Sequence, residues 1–596
     1  MSAVSVPRGT CCRKCNHYCS SAALPITLLA FTVSHRESQN HQPSTQMDHN
    51  NPQPAIDPRS GFNSETKIFH SLRPPIHLPP EHFAISAAAY ALSLRRNLPW
   101  PDSVALIDSS TGQHIYYSEL THRINTLAAN LQTTIGLSKG DKAFILSPNS
   151  TTIPILYFSL LTLGVVISPA NPLSTESEIM RLIGLCKPIV AFCTSAFAHK
   201  LSKLRPKIKI IIIDSHVFDT MTKSSKWELE PAEVRQSDLA SIMYSSGTTG
   251  KVKGVMSTHR NLIAMIATYH APLIKRESPA VFIYTVPYFH MFGFFYCARS
   301  VSVSDTVVVV MGKFDVRKTL RAVEEFKVTH MMLVPPVVVA MVKSNLTAGY
   351  DLSSLEQVTS GAAPLGKDVI TAFKSKFPDV VLAQGYGMTE VTGAAFRTIN
   401  REETERWGST GRLSGGFEAK IVDAETGKAL FPCQEGELWL RGPSIMKGYM
   451  GDKDTETTWA AIVSGGWLRT GDLCYIDEEG FLYVVDRLKE LIKYKGYQVA
   501  PAELEQLLQT HPEIVDAAVI PYPDEEAGQL PMAVVVRQSK STIGEADVIN
   551  FVASKVAPYK KVRRVVFVEV IPKSAAGKIL RKDLRKIFVP GYLSRL

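Results

Sequence analysis

Near its middle the chain reads Tyr244-Ser245-Ser246-Gly247-Thr248-Thr249-Gly250-Lys251-Val252-Lys253-Gly254. Three glycines free the backbone for tight turns, the Ser and Thr hydroxyls supply hydrogen-bond donors, and the lysines supply positive charge. These are the components of a loop that holds phosphate groups; the alternative is an ordinary flexible loop. The segment is not a P-loop, because only two residues separate Gly247 from Gly250-Lys251, where that motif requires four.

Short apolar runs alternate with helical patterns on both sides of this segment, from about residue 80 to about residue 485. Runs of this length, bounded by polar residues, Gly or Pro, are typical of buried parallel strands. They lie at residues 143–146, 189–192, 208–213, 307–311, 330–334 and 380–383. The segments 152–163 and 176–185 have the pattern of crossover helices. An α/β fold follows.

The pattern changes after Asp486-Arg487. A charged stretch, Leu488-Lys489-Glu490, leads to an amphipathic helix predicted at 502–509 and to strands predicted at 516–520 and 533–537. We therefore expect a large domain over residues 61–488 and a small α+β domain over residues 489–596.

Residues 1–60 are rich in Ser, Pro, Asn, Gln and His, which predicts a disordered leader or a targeting segment. The apolar stretch 22–33 follows basic residues, as in targeting segments, and a start of translation at Met47 is an alternative. A cysteine cluster with a nearby histidine could bind a metal, although the second ligand pair of a zinc site is missing. The cluster consists of Cys11, Cys12, Cys15 and Cys19, with His17.

Composition narrows the class of protein. The chain has 596 residues, of which 45% are hydrophobic and 20% charged, so a disordered, collagen-like or coiled-coil chain is excluded as the main architecture. Its length predicts two or more domains, and its apolar runs are too short to span a membrane. The net charge of +10 lies mostly in the segment from Lys540 to the last residue, which has 13 Lys/Arg and 4 Asp/Glu. Because these cations alternate with strand-like residues, a folded domain with a polyphosphate ligand fits as well as a nucleic-acid-binding arm.

Three further segments carry candidate ligand-binding residues. Gln384-Gly385-Tyr386-Gly387-Met388-Thr389-Glu390 follows the strand predicted at 380–383, where a hydroxyl and a carboxylate suit a phosphate oxygen and Mg²⁺. Gly465-Gly466-Trp467-Leu468-Arg469-Thr470-Gly471-Asp472 places an aspartate in a Gly-rich segment, and Pro572-Lys573-Ser574-Ala575-Ala576-Gly577-Lys578 places a lysine in the basic domain. Taken alone, Asp472 is typical of an aspartate in a turn, and Lys578 is typical of a solvated surface charge.

Taken together and in this order, the four segments resemble those of the acyl-adenylate-forming superfamily, over about residues 85–590. Residues 488–505, which read LKELIKYKGYQVAPAELE, look like the plant 4-coumarate–CoA ligases and their 4-coumarate–CoA ligase-like relatives. The resemblance implies a large N-terminal adenylate-forming domain of sheets flanked by helices, and a small, mobile C-terminal lid. It also implies a carboxylic acid, ATP, Mg²⁺ and coenzyme A as substrates and cofactors. Nucleic acid is not an expected binding partner.

By the same resemblance, each matching residue has an expected role in forming the adenylate. The β- and γ-phosphates would be held by Ser245, Ser246, Gly247, Thr248, Thr249, Gly250 and Lys253. Thr389 would contact the α-phosphate and Glu390 the Mg²⁺ ion. Asp472 would accept hydrogen bonds from the ribose, with Arg487 nearby. Lys578 would be the catalytic lysine that bridges the carboxylate and the α-phosphate.

For the second step, the family turns its small domain about a hinge at the position of Lys489. This movement would withdraw Lys578 and bring Lys493 and Gln498 to the nucleotide. The expected CoA contacts are Lys313, Lys495 and Gly496.

The acyl pocket is expected beside His290 in Pro287-Tyr288-Phe289-His290-Met291-Phe292-Gly293, although a satisfied core histidine is the alternative. Phe292, Gly361, Gln384 and Gly385 would line the acyl and adenine pocket. The residues after His290 are bulkier than in true 4-coumarate–CoA ligases, so hydroxycinnamate specificity stays open beside fatty and oxylipin acids.

The chain ends in Ser594-Arg595-Leu596, a variant of the Ser-Lys-Leu address that a peroxisomal import receptor reads. We expect a peroxisomal carboxylate–CoA ligase, with a cytoplasmic location as the alternative. The other functions left open are a luciferase-like oxygenase, a carrier-loading adenylation domain and a non-catalytic nucleotide-binding relative.

Overall fold

The computed structural model describes residues 56–589, apart from 95–102, 205–207, 225–228, 247–251, 271–275, 277, 304–305, 313, 344, 364, 452–453, 496 and 575–576. The N-terminal cysteine cluster and the C-terminal tripeptide therefore lie outside the described residues. The fold is the predicted α/β type, with a large N-terminal domain of sheets and helices and a small C-terminal domain.

A nine-stranded sheet forms the centre of the large domain. Its six inner strands are parallel and the strands at both ends are antiparallel. In spatial order the strands are Arg412–Leu413, Gly393–Arg397, Val381–Met388, Gln357–Ser360, His330–Leu333, Ala280–Tyr284, Thr306–Val310, Val104–Asp108 and His114–Tyr116.

A second, seven-stranded sheet contains the hairpin on either side of the Gly-rich segment. In spatial order its strands are Gly448–Tyr449, Val252–Thr258, Leu239–Ser246, Val166–Ala170, Lys142–Leu146, Val190–Cys193 and Lys209–Ile212. The last five pair in parallel, as their apolar runs predict.

A third sheet of the large domain is wholly antiparallel and carries Asp472 and Arg487. Its strands are Phe62–Asn63, Ile68–His70, Glu418–Val422, Gly436–Arg441, Ile462–Val463, Trp467–Ile476 and Leu482–Arg487. The fourth sheet belongs to the small domain and has its own buried core on both faces. It is formed by Tyr497–Val499, Ile492–Tyr494, Gly528–Arg537, Ile514–Asp524 and Arg564–Phe567.

Helices cover the sheets. In the large domain they are Ala87–Ser93, Tyr117–Asn130, Thr152–Thr162, Glu176–Cys186, His216–Lys223, His259–His270, Met291–Ser302, Val316–Glu325, Pro335–Lys343, Lys367–Lys376, Arg401–Thr404 and Asp454–Ala461. In the small domain they are Pro501–Gln509, Glu545–Ala553 and Arg581–Phe588. The helix Thr152–Thr162 is apolar all round because it packs in the core, and Glu176–Cys186 begins at a capping box formed by Thr175 and Glu178.

Most predicted elements are confirmed within one or two residues. The two small-domain strands predicted at 516–520 and 533–537 are longer, and span Ile514–Asp524 and Gly528–Arg537. Two further segments also differ from expectation. Val381–Met388 continues through the polar motif that was expected to follow the strand, because its second half pairs with Gly393–Arg397. Asp472 lies inside the strand Trp467–Ile476 and not in the preceding turn. No helix among the described residues is both long and apolar enough to cross a membrane.

Candidate functional site

The hairpin formed by Leu239–Ser246 and Val252–Thr258 brings the ends of the Gly-rich segment together, with Ser246 paired to Val252. Ser245 Oγ donates a hydrogen bond to Glu390 Oε1 at 3.1 Å. Lys253 Nζ lies 4.3 Å from the centre of the Tyr449 ring. Residues 247–251 and the side chain of Ser246 lie outside the described residues.

Thr389 and Glu390 form a short turn, Thr389–Val391, at the end of the strand Val381–Met388, and both are buried. Glu390 Oε1 also accepts a hydrogen bond from the Tyr449 hydroxyl at 3.1 Å. Among the described residues, both side-chain hydrogen bonds to Glu390 involve Oε1, and none involves Oε2. The carboxylate thus retains an oxygen for a ligand.

Asp472 and Arg487 face each other on neighbouring strands of the third sheet. Asp472 is 4% exposed; its Oδ1 lies 3.2 Å from Arg487 Nε, and its Oδ2 accepts a hydrogen bond from the Tyr386 hydroxyl at 2.6 Å. The charge of Asp472 raises the pKa of Arg487, so the guanidinium group stays charged. Because Tyr386 belongs to the second predicted motif, the contact joins two of the four segments.

The charge of Lys578, in the small domain, interacts with the carboxylates of Asp472 and Glu390. Its loop is closed by two hydrogen bonds, from Ser574 N to Lys578 O at 2.7 Å and from Lys578 N to Ser574 Oγ at 3.2 Å. The pKa of Lys578 is lowered to about 8, first because burial disfavours the ammonium ion and then because Arg487 repels it, while Asp472 and Glu390 oppose the shift. Lys578 is therefore not a solvated surface charge.

The loop that carries Lys578 also touches the large domain. A side-chain carbon at Gly577 would lie 3.3 Å from Val334, and the backbone there has a positive φ of 76°. Glycine is thus the residue that fits this contact without strain.

His290 caps the helix Met291–Ser302, with its Nδ1 3.4 Å from the backbone nitrogen of Phe292. Burial, together with the nearby charge of Lys578, lowers the pKa of His290 to about 4, so the ring is neutral at pH 7. Beyond it, a side-chain carbon at Gly361 would lie 3.2 Å from the Phe292 ring. His290, Phe292 and Gly361 therefore lie side by side, and an acyl pocket at this place stays a prediction.

The small-domain helix Pro501–Gln509 is held at both ends by charged residues of the large domain. Asp486 Oδ2 accepts a hydrogen bond from Ala502 N at 2.8 Å, whereas the N-cap residue Ala500 offers no capping side chain. At the other end Lys343 Nζ donates to the carbonyl oxygens of Gln509 and Ile514, at 2.7 and 3.1 Å. Both charges have the sign that stabilises the adjacent end of a helix dipole.

The residues predicted for the second step lie elsewhere. Lys493, Lys495 and Gln498 belong to or border a hairpin of the small domain, and its hydrogen bonds are local: Lys493 N donates to Gln529 Oε1 and Lys495 Nζ to Glu526 Oε1. Lys489, the expected hinge, lies between the two domains. Of the residues expected at the nucleotide and acyl pockets, Gln384 donates a hydrogen bond from its side-chain amide to Ser409 O at 3.3 Å. Gly385 lies in strand Val381–Met388, opposite Arg397. Lys313 and Gly496 lie outside the described residues.

Tyr449 is the site residue that the motifs missed. The strand Gly448–Tyr449 pairs with Val252–Thr258, which places the Tyr449 hydroxyl beside Glu390 and its ring beneath Lys253. No local signal marks it, because only this pairing between distant segments brings it to the site.

The described residues hold no cluster of three or more His, Cys, Asp or Glu that could bind a metal ion unaided. A single carboxylate does suit Mg²⁺ when the remaining ligands are phosphate oxygens and water. Glu390 fits that role, because its Oε2 accepts no hydrogen bond among the described residues and Ser245 of the Gly-rich segment contacts its Oε1.

Comparison with known proteins agrees with this arrangement. A family model described as AMP-binding enzyme matches residues 95–450, and one described as AMP-binding enzyme C-terminal domain matches residues 503–578. The chain is 48% identical over 555 residues to 4-coumarate–CoA ligase-like 9 of Arabidopsis thaliana, covering 91% of this chain and 98% of the relative. It is 46% identical over 545 residues to the Peroxisomal OPC-8:0-CoA ligase 1 of Arabidopsis thaliana, covering 89% and 98%.

Solved structures show the same architecture. ATP-bound MatB from Rhodopseudomonas palustris superposes with a TM-score of 0.77 at 26% identity, covering 85% of this chain and all of that one. The anthranilate CoA ligase AuaEII in complex with anthranoyl-AMP gives 0.76 at 26% identity, covering 87% and 99%.

Proposed function

The chain belongs to the AMP-binding enzyme family, a family of adenylate-forming ligases, and from this we propose that it is an ATP-dependent carboxylate–CoA ligase. It would convert its acid to an acyl adenylate and then to a CoA thioester. The observation that carries the proposal is the position of the Lys578 loop, where Gly577 packs against Val334 of the large domain and the charges of Asp472, Glu390 and Arg487 act on the Lys578 ammonium. A protein that only binds nucleotide has no need of a half-buried lysine there.

In the first step a carboxylate oxygen of the acid attacks the α-phosphorus of ATP, the bond to the β-phosphate oxygen breaks, and pyrophosphate leaves. The reacting groups are anionic, so fixed cations and donors lower the barrier. Lys578 would neutralise the carboxylate and the α-phosphate, with Thr389 donating to that phosphate. His290 is neutral and adds no charge of its own beside the acid.

The nucleotide would be held on both sides of this centre. Ser245, Ser246 and Lys253, with residues 247–250, would contact the β- and γ-phosphates, and Asp472 would accept from the ribose hydroxyls. Glu390 would hold Mg²⁺, and when bound the ion would supply positive charge to offset part of the phosphate charge.

In the second step the CoA thiolate attacks the acyl carbon and AMP leaves. We propose that the small domain, residues 489–596, turns about Lys489 relative to residues 61–488 and exchanges Lys578 for Lys493 and Gln498. Lys495 and Gly496, with Lys313, would then contact CoA. The exposure of this hairpin and its local contacts leave it available for such a movement.

For the acid we propose a hydroxycinnamate-like, fatty or oxylipin carboxylate. One relative is named a 4-coumarate–CoA ligase-like protein and another a Peroxisomal OPC-8:0-CoA ligase. The second name and the terminal Ser594-Arg595-Leu596 together support a peroxisomal location, reached through the import receptor.

Exchange of radioactive pyrophosphate into ATP, measured over cinnamates, benzoates, fatty acids and oxylipin acids, tests the proposal. We expect at least one acid to support exchange and the same acid to give CoA-dependent release of AMP. Exchange without CoA-dependent release would indicate an oxygenase-like use of the adenylate, and no exchange with any acid would reject the proposed function.

A further inference from the structure

A bulge in the third sheet carries Asp472. Its strand, Trp467–Ile476, pairs with Gly436–Arg441, and the register breaks at one place, where Leu438 alone lies opposite residues 470–472. A bulge redirects the side chains of the residues it contains, and bulges are common beside functional sites. The direction in which the Asp472 carboxylate points therefore depends on how this bulge is held.

Side-chain and backbone hydrogen bonds hold the bulge in place. Thr470 Oγ1 donates to the carbonyl oxygen of Leu438 at 2.7 Å and accepts from Asp472 N at 3.2 Å. The carbonyl oxygen of Gly471 accepts from Leu488 N at 3.0 Å. Gly471 has a positive φ of 72°, which a residue with a side chain adopts only with strain. The bulge is therefore a defined conformation, with the Gly471 amide at its centre.

Glu437 binds this amide from a buried position. The residue is 3% exposed, and its Oε1 accepts a hydrogen bond from Gly471 N at 3.1 Å. Its Oε2 accepts from Trp439 Nε1 at 2.9 Å and lies 3.0 Å from Arg469 Nη2. Hydrogen bonds that a carboxylate accepts from a backbone amide or a guanidinium group are among the strong ones in proteins. Both oxygens of Glu437 are therefore engaged, and the position of the carboxylate is fixed.

A second carboxylate shows that this contact is not a general feature of the sheet. Glu418 also pairs with an arginine, since its Oε2 accepts from Arg441 Nε at 2.6 Å, and its Oε1 lies 3.4 Å from His70 Nδ1. Both of these partners are side chains, and no backbone amide among the described residues donates to the Glu418 carboxylate. Glu437 differs because it reaches the backbone of the residue that precedes Asp472.

We propose that Glu437 is a positioning residue, which holds the Gly471 amide so that the Asp472 carboxylate faces the ribose of ATP. The inference rests on the proposed function, in which Asp472 accepts hydrogen bonds from the ribose hydroxyls. Glu437 fixes the backbone before Asp472, while Arg487 and Tyr386 hold its two carboxylate oxygens, at 3.2 and 2.6 Å. Glu437 thus acts through Asp472, without contact to the nucleotide, and favours a ribonucleotide over a deoxyribonucleotide.

Pyrophosphate exchange with ATP, 2′-deoxyATP and 3′-deoxyATP, at a saturating concentration of one accepted acid, tests the proposal. We expect the wild-type protein to use ATP with a kcat/KM roughly tenfold or more above that for at least one deoxy analogue, because a hydrogen bond to a carboxylate contributes this much. Glu437→Ala should lower kcat/KM for ATP by roughly tenfold and leave the value for that analogue within about threefold. The ratio of the two values is the decisive readout, because a loss of folded enzyme lowers both values equally.

Further variants separate the contact with Gly471 from the rest of the sheet. Glu437→Gln keeps an acceptor for Gly471 N and should retain most of the preference for ATP. Gly471→Ala removes no charge but strains the positive φ, so it should lose the preference as Glu437→Ala does. Glu418→Ala is the matched control, because it removes an arginine-paired carboxylate from the same sheet, and it should keep the preference. In the Asp472→Ala background, adding Glu437→Ala should change the preference no further, since the two residues act in series.

The outcomes separate this inference from the proposed function. A parallel fall for ATP and both analogues in Glu437→Ala would make Glu437 a structural residue and overturn its positioning role, as would a preference for ATP that survives the substitution. Complete loss of the preference in Glu437→Gln would overturn the route through Gly471. Wild-type exchange without any preference for ATP would overturn the ribose contact of Asp472, and the inference with it, while the ligase function would stand. No exchange with any acid would overturn both proposals.

Discussion

The contact between Asp486 and the helix Pro501–Gln509 yields a prediction about how the domains are oriented. Asp486 is 6% exposed and supplies the N-terminal cap that Ala500 cannot, across the expected hinge at Lys489. Removing a helix cap costs about 0.5–2 kcal/mol, and losing a carboxylate at the dipole adds about 0.3–1 kcal/mol. Asp486→Ala should therefore disfavour the observed orientation by about 2 kcal/mol, which is a roughly 30-fold shift in population.

Half-reaction assays measure this shift. Pyrophosphate exchange, for which we propose that Lys578 is required, should fall by up to roughly 30-fold in Asp486→Ala. Thioester formation from supplied acyl adenylate and CoA should be unchanged or faster. Asp486→Asn is the control, because its amide oxygen can still accept from Ala502 N, and it should lose much less. Lys343→Met, which removes the partner at the other end of the helix, should act in the same direction with a smaller effect because Lys343 is exposed. Equal slowing of both half-reactions in Asp486→Ala would refute the reasoning.

The site makes two further predictions. Because the pKa of Lys578 is lowered to about 8, its proton is lost as pH rises through that value, so kcat/KM for pyrophosphate exchange should decline above about pH 8. Lys578→Arg should be slower but should lack this decline, since a guanidinium stays protonated. The same decline in Lys578→Arg would show that another group causes the pH dependence. Glu390→Gln keeps the size of the side chain and an oxygen for Ser245 and Tyr449 but loses the charge, so the Mg²⁺ concentration for half-maximal exchange should rise roughly tenfold or more. Tyr449→Phe keeps the Glu390 carboxylate and should change this concentration far less. An equal rise in both variants would show that packing around Glu390 matters more than its charge.

Much of the fold could be predicted because each buried parallel strand appears in the sequence as a short, continuous apolar run. The apolar runs at 143–146 and 189–192 occur within the strands Lys142–Leu146 and Val190–Cys193, give or take a residue, since a strand covered on both faces must be apolar at every position. The end of Val381–Met388 could not be predicted. Its second half is polar and Gly-rich, and only the pairing with Gly393–Arg397 makes it a strand.

The same distinction applies to the site. Glu390, Asp472 and Lys578 could be proposed because each lies in a compact segment with its own composition, and the charges of Asp472 and Glu390 act on Lys578 in the folded chain. Tyr449 and Asp486 could not, since one depends on the edge pairing of two distant strands and the other on docking of the small domain. Contacts of this kind depend on tertiary placement, and no local pattern encodes them.

The central claim is that Lys578 serves adenylate formation and not thioester formation. Lys578→Ala, assayed for pyrophosphate exchange and, separately, for CoA thioester formation from supplied acyl adenylate, tests it most directly. Removing a charge that stabilises a transition state typically costs roughly 100- to 1000-fold, so we expect a loss of this size in exchange and a change of less than about threefold in thioester formation. A comparable loss in both half-reactions would contradict the claim.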